Sequence, residues 1–437
     1  MGPPLRGDGR VGGAAVVSAE ARPAAAAIVA IGSEMLGPLR QDTNSLWLTA
    51  RLEEVGIPVV RKSVVGDDPA LVAAELEFAS QAARYVFTTG GLGPTADDVT
   101  VAAVASWLGA RLERNEPFLA RMRERFSRRG FAMPPCNEKQ ADFIVGARVL
   151  ENPRGTAPGF WAERDGVEVV ILPGVPSEMK EIMEATVLPE LKARAAGVVG
   201  RRRVLRIAGM GESAVEEIVA PLYAKWKDDP VTILASPGEV QLHLAVRGRP
   251  TEADERLAAL EADFRAALGN RIFGQDGEDL ARVVGRQLQQ SGRTVAFAES
   301  CTGGMVSSLV TDVPGSSAYF LGGVVTYAND AKESLIGVEP ETLRRFGAVS
   351  EETAREMARG VRDRFVADVG VSITGIAGPD GGTPEKPVGT VHFGLAARSG
   401  AEVAKRRLFG GDRAVVRRAA SIQALEMLRR FLAGENA

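Results

Sequence analysis

From residue 26 onwards, short apolar runs alternate with amphipathic stretches of helical period. This alternation is typical of a parallel sheet with helices packed on its faces. Strands are predicted at residues 28–31, 58–65, 85–88 and 167–172. Helices are predicted to begin near Thr43, Asp68 and Asp97, whose side chains can accept the free amide hydrogens of a first turn. An α/β domain is therefore expected over residues 26–195. The preceding residues 1–25, rich in Gly, Ala and Pro, are expected to form a disordered extension.

The alternation of apolar runs with amphipathic helical stretches changes after residue 195. Residues 196–276 predict the order strand, helix, two strands, helix, strand, which describes a small α+β module. Its glycine-rich turn at residues 209–213 (GMGES) is interpreted as a structural strand-to-helix turn. From residue 277 the α/β alternation returns and continues to a long amphipathic helix at residues 414–432. The predicted fold class is therefore α/β, with two α/β sheet domains (26–195 and 277–437) flanking the α+β module.

Composition excludes several classes of protein. A formal net charge of −3 argues against a protein whose main role is to grip phosphate backbones. Cys136 and Cys301 are the two cysteines, too few for a disulfide framework or a cysteine-rich zinc site, and they fit a reducing cytoplasm. No stretch approaches the roughly 18 apolar residues that a membrane span needs. We expect a cytoplasmic protein that forms a homo-oligomer.

A serine lies in a glycine-rich turn at residues 298–304 (AESCTGG), between a predicted strand and a predicted helix. Backbone amides at such a turn can stabilise an oxyanion, which would suit Ser300 as a nucleophile. A serine that merely caps a helix fits the same position equally well. Cys301 is interpreted as a small buried residue behind the turn.

Lys332 is the candidate base that would accept the proton of Ser300. The chain has two histidines, His243 and His392, and neither lies in a polar loop beside a serine. His392 falls in an alternating strand pattern, which favours a structural histidine. Lys332 follows an apolar strand that ends near Tyr327. A buried lysine can lose its proton and accept one from a serine, as in Ser/Lys dyads.

Several segments here also carry a family resemblance. AESCTGG, VPGSSAYFLGGVVTYANDAK, AVSEE, SITGIAGPDGGTPEKPVGTV and FGGDR, between about residues 280 and 433, resemble the CinA C-terminal family, the nicotinamide-nucleotide amidases. Carried over by motif, the family's serine, tyrosine and lysine fall on Ser300, Tyr327 and Lys332. The resemblance implies hydrolysis of nicotinamide mononucleotide to nicotinate mononucleotide and ammonia, without a cofactor. Candidate substrate-binding residues are Thr302, Gly303, Gly304, Gly375, Gly378, Asp380 and Arg413. Ordinary loop structure explains the last four equally well.

A second glycine-rich segment, residues 88–98 (TTGGLGPTADD), follows a strand and opens a helix. Its glycines Gly90, Gly91 and Gly93 can bring backbone amides against a phosphate. Asp97 and Asp98 could hold a divalent cation or cap the helix. The turns at residues 32–34 and 173–179 follow other strands, so the three are expected to converge on one cleft.

These motifs, with DTN (42–44) and GTAPGF (155–160), resemble the molybdopterin-binding-like domain of CinA proteins. The α+β module resembles their KH-type domain. The resemblance implies an ADP-ribose pyrophosphatase dependent on a divalent metal of the Mg, Mn or Co type. Asp98 is then the favoured ligand, with Asp97 capping the helix or joining the metal and Glu178 completing the site. Ser177 is a further substrate-binding candidate. One departure from the family pattern is Pro38 after Gly37, in the first cleft turn.

Two other functions are weighed against this bifunctional hydrolase. A competence- or DNA-damage-associated binding protein, as the family name suggests, is disfavoured because the chain lacks a basic surplus and stacking aromatics. A molybdenum-cofactor enzyme rests on fold analogy alone. The expected partners are therefore small nucleotides, nicotinamide mononucleotide and ADP-ribose, and neither nucleic acid nor a membrane.

Overall fold

The computed structural model describes residues 24–38, 40–195 and 197–435, which fall into two compact units. The first unit contains the described residues up to Arg201 together with Arg247–Asp254, and the second contains Arg202–Val246 and the described residues from Glu255. Of the extension predicted at residues 1–25, residues 1–23 lie outside the described residues. Ala25 is buried and its carbonyl accepts a hydrogen bond from the Tyr85 amide, so this residue belongs to the folded domain and not to the extension.

A mixed sheet forms the centre of the first unit. The strands of this unit are β1 (Ala26–Ile31), β2 (Val59–Val65), β3 (Tyr85–Thr89), β4 (Leu112–Arg114), β5 (Asp142–Ile144), β6 (Arg148–Leu150), β7 (Gly159–Arg164) and β8 (Val167–Leu172). The sheet order is β2-β1-β3-β8-β7-β6, and β4 pairs with β5 separately. The four predicted strands are parallel, as expected. The expectation of a wholly parallel sheet is wrong, because β7 and β6 run antiparallel at one edge.

Helices cover both faces of this sheet. They are α1 (Asn44–Glu54), α2 (Pro69–Ala82), α3 (Thr100–Leu108), α4 (Glu116–Arg128), α5 (Pro176–Ile182) and α6 (Leu188–Arg194). Asp68 caps α2, as predicted, by accepting from the amides of the first turn. Thr43 makes no such bond, and Asp42 accepts from the first turn of α1 instead. The prediction that α3 begins near Asp97 is also wrong, since the helix begins at Thr100.

The α+β module has the predicted element order. Its elements are β9 (Val199–Ala208), α7 (Glu212–Val219), β10 (Val231–Ser236), β11 (Glu239–Gly248), α8 (Pro250–Leu268) and β12 (Ile272–Gln275). The strands form a sheet in the order β10-β11-β9-β12. The apolar pattern predicts strands at residues 204–208 and 240–246, whereas β9 and β11 extend further, into ends that carry charged side chains.

The remaining elements form a second mixed sheet with helices on both faces. They are α9 (Leu280–Ser291), β13 (Val295–Glu299), α10 (Met305–Thr311), β14 (Phe320–Val325), α11 (Asn329–Ile336), α12 (Pro340–Phe346), α13 (Glu351–Phe365), β15 (Val369–Gly375), β16 (Thr390–Ala397), β17 (Glu402–Leu408) and α14 (Arg413–Leu432). The sheet order is β14-β13-β15-β16-β17, and β13 is parallel to both its neighbours. Side chains alternate along β13, so Val295 and Phe297 join one core while Ala296 and Ala298 join the other.

The helix predicted at residues 414–432 forms, but it is buried nearly all round rather than amphipathic. Residues 419–429 of α14 are all buried. The reason is that α14 packs on α9 and β15 and also lies against the α+β module, where the Arg429 guanidinium donates to the Asn270 carbonyl (2.7 Å). Within the described ranges, no helix is long and apolar enough to cross a membrane.

Candidate functional site

Ser300 lies in the turn at the carboxyl end of β13. The turn departs from the strand through Gly303 (φ 62°) and Gly304 (φ 95°), both in the left-handed region that favours glycine. The Ser300 amide donates to the Ile373 carbonyl of β15 (2.9 Å), and the Gly303 amide donates to the Ser300 carbonyl (3.1 Å). Ser300 is itself buried. The backbone therefore fixes the position of the serine without using its hydroxyl.

The carboxylate of Glu299 holds the other side of this turn. It is fully buried and accepts from the amides of Gly304 (3.0 Å) and Val306 (3.1 Å) and from the amide (2.9 Å) and hydroxyl (2.8 Å) of Ser307. Four donors satisfy the oxygens of a side chain that burial removes from water. Among the turn amides considered for an oxyanion, that of Gly304 is therefore already used. Sequence reasoning missed Glu299, although a glutamate ending the apolar run VAFAE is a signal in itself.

Lys332 on α11 reaches the serine from the neighbouring strand end. Its side chain is buried, with 1% exposure, and its Nζ lies 3.4 Å from Ser300 Oγ. Nζ also donates to the carbonyls of Thr326 (2.7 Å) and Tyr327 (3.3 Å). Burial lowers the pKa of Lys332 below its ordinary value. Two carbonyls thus orient the amine, and its third direction faces the serine hydroxyl.

Tyr327 contacts the lysine through its backbone, while its phenol points elsewhere. The side chain is 62% exposed, and its hydroxyl accepts a hydrogen bond from Arg413 Nη2 (3.2 Å). Arg413 Nη1 donates to the Gly378 carbonyl (3.0 Å). Tyr327, Arg413 and Gly378 are therefore brought together. Within the described residues, the hydrogen-bonded partner of the phenol is Arg413, so a proton relay from Tyr327 to Lys332 is not formed.

Arg417 of α14, which sequence reasoning missed, holds the serine turn from a distant part of the chain. Its Nε donates to the Cys301 carbonyl (3.1 Å) and its Nη2 to the Thr302 carbonyl (2.8 Å). Thr302 is fully buried. Cys301 is a buried free thiol, and burial raises the pKa of Cys301 to about 11. A protonated thiol at neutral pH agrees with the interpretation of Cys301 as a packing residue.

The other predicted substrate-binding residues lie in or beside the loop between β15 and β16. A Cβ on Gly375 would lie 2.8 Å from the Thr390 carbonyl oxygen, and one on Gly378 would lie 2.6 Å from Val388 Cγ1. Close packing is therefore sufficient reason for both glycines. Asp380 is exposed in the loop. Arg413 links Gly378 to Tyr327 by hydrogen bonds to both, whereas the contacts of Gly375 are to strand β16.

The three polar turns of the first unit line one cleft of about 530 Å³, as predicted. The lining residues from these turns include Gly32, Glu34, Gly90, Gly91, Gly93, Asp97, Asp98, Pro173, Gly174 and Glu178. Ser177 is exposed on the first turn of α5 and is not among the residues that line the cleft. Not every glycine amide is free for a phosphate, because the Gly90 amide donates to the Leu172 carbonyl (3.1 Å).

Asn44, also missed as an individual residue, joins two of these turns. Its Nδ2 donates to Thr89 Oγ1 (2.9 Å) and to the Gly174 carbonyl (2.9 Å). Its Oδ1 is buried without a hydrogen-bond partner among the described residues. The side chain therefore fixes the cleft wall and keeps one acceptor unused.

The predicted metal ligands Asp97, Asp98 and Glu178 all line this cleft. In the described part of the chain, no group of three or more His, Cys, Asp or Glu residues is placed to hold a metal ion. Asp98 Oδ2 accepts from the amide (2.8 Å) and hydroxyl (2.5 Å) of Thr95, and Glu178 accepts from Asn152 Nδ2 (2.6 Å). Asp98, the favoured ligand, thus closes the turn before α3, and neither aspartate caps that helix.

Three family models match this chain, one over each of the three domains predicted from the sequence. A family model described as the CinA C-terminal domain matches residues 277–432, one described as a probable molybdopterin binding domain matches residues 27–193, and one described as the damage-inducible protein CinA KH domain matches residues 202–274. The class of protein is thus a multidomain α/β protein that combines these three parts.

Relatives extend over almost the whole chain. A "CinA-like protein" of Solibacter usitatus is 44% identical, covering 94% of this chain and 99% of its own. A "putative competence-damage inducible protein" of Symbiobacterium thermophilum is 45% identical with the same coverage. The chain belongs to the CinA family. Among solved structures, the competence/damage inducible protein CihA from Agrobacterium tumefaciens is 47% identical over 34% of this chain and 91% of that chain, with a TM-score of 0.34.

Proposed function

We propose that the protein hydrolyses the carboxamide of nicotinamide mononucleotide, producing nicotinate mononucleotide and ammonia. The observation that carries the proposal is the buried Lys332 amine, with lowered pKa, 3.4 Å from Ser300 Oγ. A serine beside such a lysine is suited to acyl transfer. The substrate is inferred from the resemblance of the motifs around Ser300 to nicotinamide-nucleotide amidases.

In the proposed reaction, neutral Lys332 accepts the Ser300 proton while Oγ bonds to the carboxamide carbon. The carbon–nitrogen bond then breaks, and Lys332 returns the proton to the leaving nitrogen, which departs as ammonia. The same amine next deprotonates a water molecule that attacks the acyl ester. Oγ regains its proton as nicotinate mononucleotide leaves. The carbonyls of Thr326 and Tyr327 keep the amine in one orientation during both halves.

The proposal is tested by incubating the full chain with nicotinamide mononucleotide and measuring both products. We expect equal amounts of ammonia and nicotinate mononucleotide. The absence of both products at neutral and alkaline pH would refute the proposed reaction. Such a result would favour the alternative, a competence- or damage-associated binding protein, which agrees with the names of several relatives.

Arg413 is proposed to bind the substrate phosphate. Its guanidinium is exposed, and its two hydrogen-bonded nitrogens leave further N–H donors free. Arg413→Ala is expected to raise KM for nicotinamide mononucleotide about tenfold with little change in kcat. Steady-state kinetics measure both constants. Arg418→Ala, an exposed arginine on the same helix, is the matched control and should leave KM unchanged; equal effects of the two substitutions would remove this role from Arg413.

A second activity, cleavage of the ADP-ribose pyrophosphate, is proposed for the cleft of the first unit. It is supported by the convergence of three strand-end turns and by the unused acceptor of Asn44. We expect AMP to form from ADP-ribose when Mg²⁺ or Mn²⁺ is added, and chelation to stop it. Ser300→Ala should leave this activity intact. If the metal-supplied wild-type protein leaves ADP-ribose intact, the cleft serves binding or scaffolding alone.

A further inference from the structure

A separate cavity of about 360 Å³ lies between the α+β module and α14, inside the second unit. One wall is formed by the turn between β9 and α7 and by the hairpin between β10 and β11. The other wall is formed by the end of β17 and by α14. Ser300 and Lys332 are not among its lining residues. This volume is at the lower end of the range for small-ligand pockets.

Two features make part of this cavity attractive to an anion. The eight-residue helix α7 begins at its edge, and its N-cap Gly211 provides no side-chain cap for the first-turn amides. Arg407 of β17 lines the same cavity, is exposed, and has no ion-pair partner among the described residues. Its neighbour Arg406, in contrast, donates to the Glu385 carbonyl. An uncapped helix start and an unpaired guanidinium therefore face one space.

A buried side-chain amide points to more than a simple anion. Gln423 of α14 is only 7% exposed, and within the described ranges its carboxamide has no hydrogen-bond partner. It lines the cavity, and the missing side chain of Gly209 leaves room beside its Oε1. A largely buried amide without a protein partner offers hydrogen bonds that a ligand in the cavity can take over from water. Glu212 in the first turn of α7 also lines the cavity; its carboxylate repels an anion but accepts hydrogen bonds, so the ligand must carry donors as well as its phosphate.

Apolar groups complete the wall. Met210, Phe409 and Val415 line the cavity and offer a surface for a flat ring. We propose that this cavity binds a nucleoside monophosphate. Its phosphate lies at the start of α7 beside Arg407, and the edge of its base pairs with the Gln423 carboxamide. The site is independent of the reaction at Ser300.

The proposal is tested by calorimetric titration of the full chain with AMP, with adenosine and inorganic phosphate as partial ligands. Arg407→Ala and Gln423→Met are each expected to weaken AMP binding about tenfold. Gln423→Met keeps the side-chain volume, so without ligand its Tm should stay the same or rise. Arg406→Ala on the same strand is the matched control and should bind AMP as the wild type does.

Three results would overturn the proposal. AMP could fail to bind at millimolar concentration. AMP could bind with an affinity that neither Arg407→Ala nor Gln423→Met changes, which would place it elsewhere. A short single-stranded RNA could bind more tightly than AMP with the same dependence on both residues, which would make the cavity part of a nucleic-acid site.

Discussion

Ser300→Ala is expected to lower kcat/KM for nicotinamide mononucleotide about 10⁴-fold or more while the protein remains folded. The substitution removes the attacking oxygen alone. The turn keeps its shape because the Ser300 amide and the Glu299 carboxylate make the hydrogen bonds that hold it. Ammonia release measures the loss, and an unchanged Tm shows that the fold is intact.

Cys301→Ala is the control for this substitution. The buried thiol, with its pKa raised to about 11, is protonated at neutral pH and has no place in the proposed attack. This variant should keep most of the activity. An inactive cysteine variant together with an active Ser300→Ala protein would show that the nucleophile is wrongly assigned.

Lys332→Arg is expected to reduce the rate about 10³-fold or more. A guanidinium cannot give up its proton, so it cannot accept one from Ser300. Lys332→Met, which keeps the length of the side chain and removes its charge, should be equally inactive and well folded. Product formation at the wild-type rate by the arginine variant would disprove the Ser/Lys dyad.

The pH dependence follows from the direction of the Lys332 shift. Burial lowers the pKa of Lys332, so the amine is neutral above a pH that lies below the ordinary lysine value of about 10.4. The rate should therefore rise with pH through the lowered pKa and level off above it. Between the folded and unfolded pKa the unfolded chain binds more protons, so stability also rises with pH, and Lys332→Met should lose that rise. A rate that stays constant into acid solution would contradict neutral lysine as the base.

The parts of the fold that could be predicted are those with a clear local pattern. The runs at residues 85–88 and 167–172 are continuous, apolar and bounded by turns, and both are strands. Asp165-Gly166 between β7 and β8 is a strong hairpin signal, with φ of 51° and 76°, yet the expectation of parallel strands concealed it. Strands β4, β5 and β6 are three residues long, too short to show a period.

The candidate sites, too, could be predicted only where the sequence has a clear local pattern. Strand ends and glycine turns indicated where Ser300 and Lys332 lie, and the structure places them side by side. The spacing of residues along the chain could not show that Thr95 donates to the Asp98 carboxylate and Asn152 to the Glu178 carboxylate. These hydrogen bonds compete with a metal for the same oxygens.

Arg417 lies on the last helix of the chain, so the Ser300 turn can be completed only late in protein synthesis. Cys301 and the arginine that binds its carbonyl are 116 residues apart in the chain. A ribosome that has made every strand of this sheet has still to make α14. A nascent chain at that stage carries both Ser300 and Lys332. The turn that holds Ser300, however, still lacks its hydrogen bonds from Arg417. The proposed amidase activity should therefore arise late in translation.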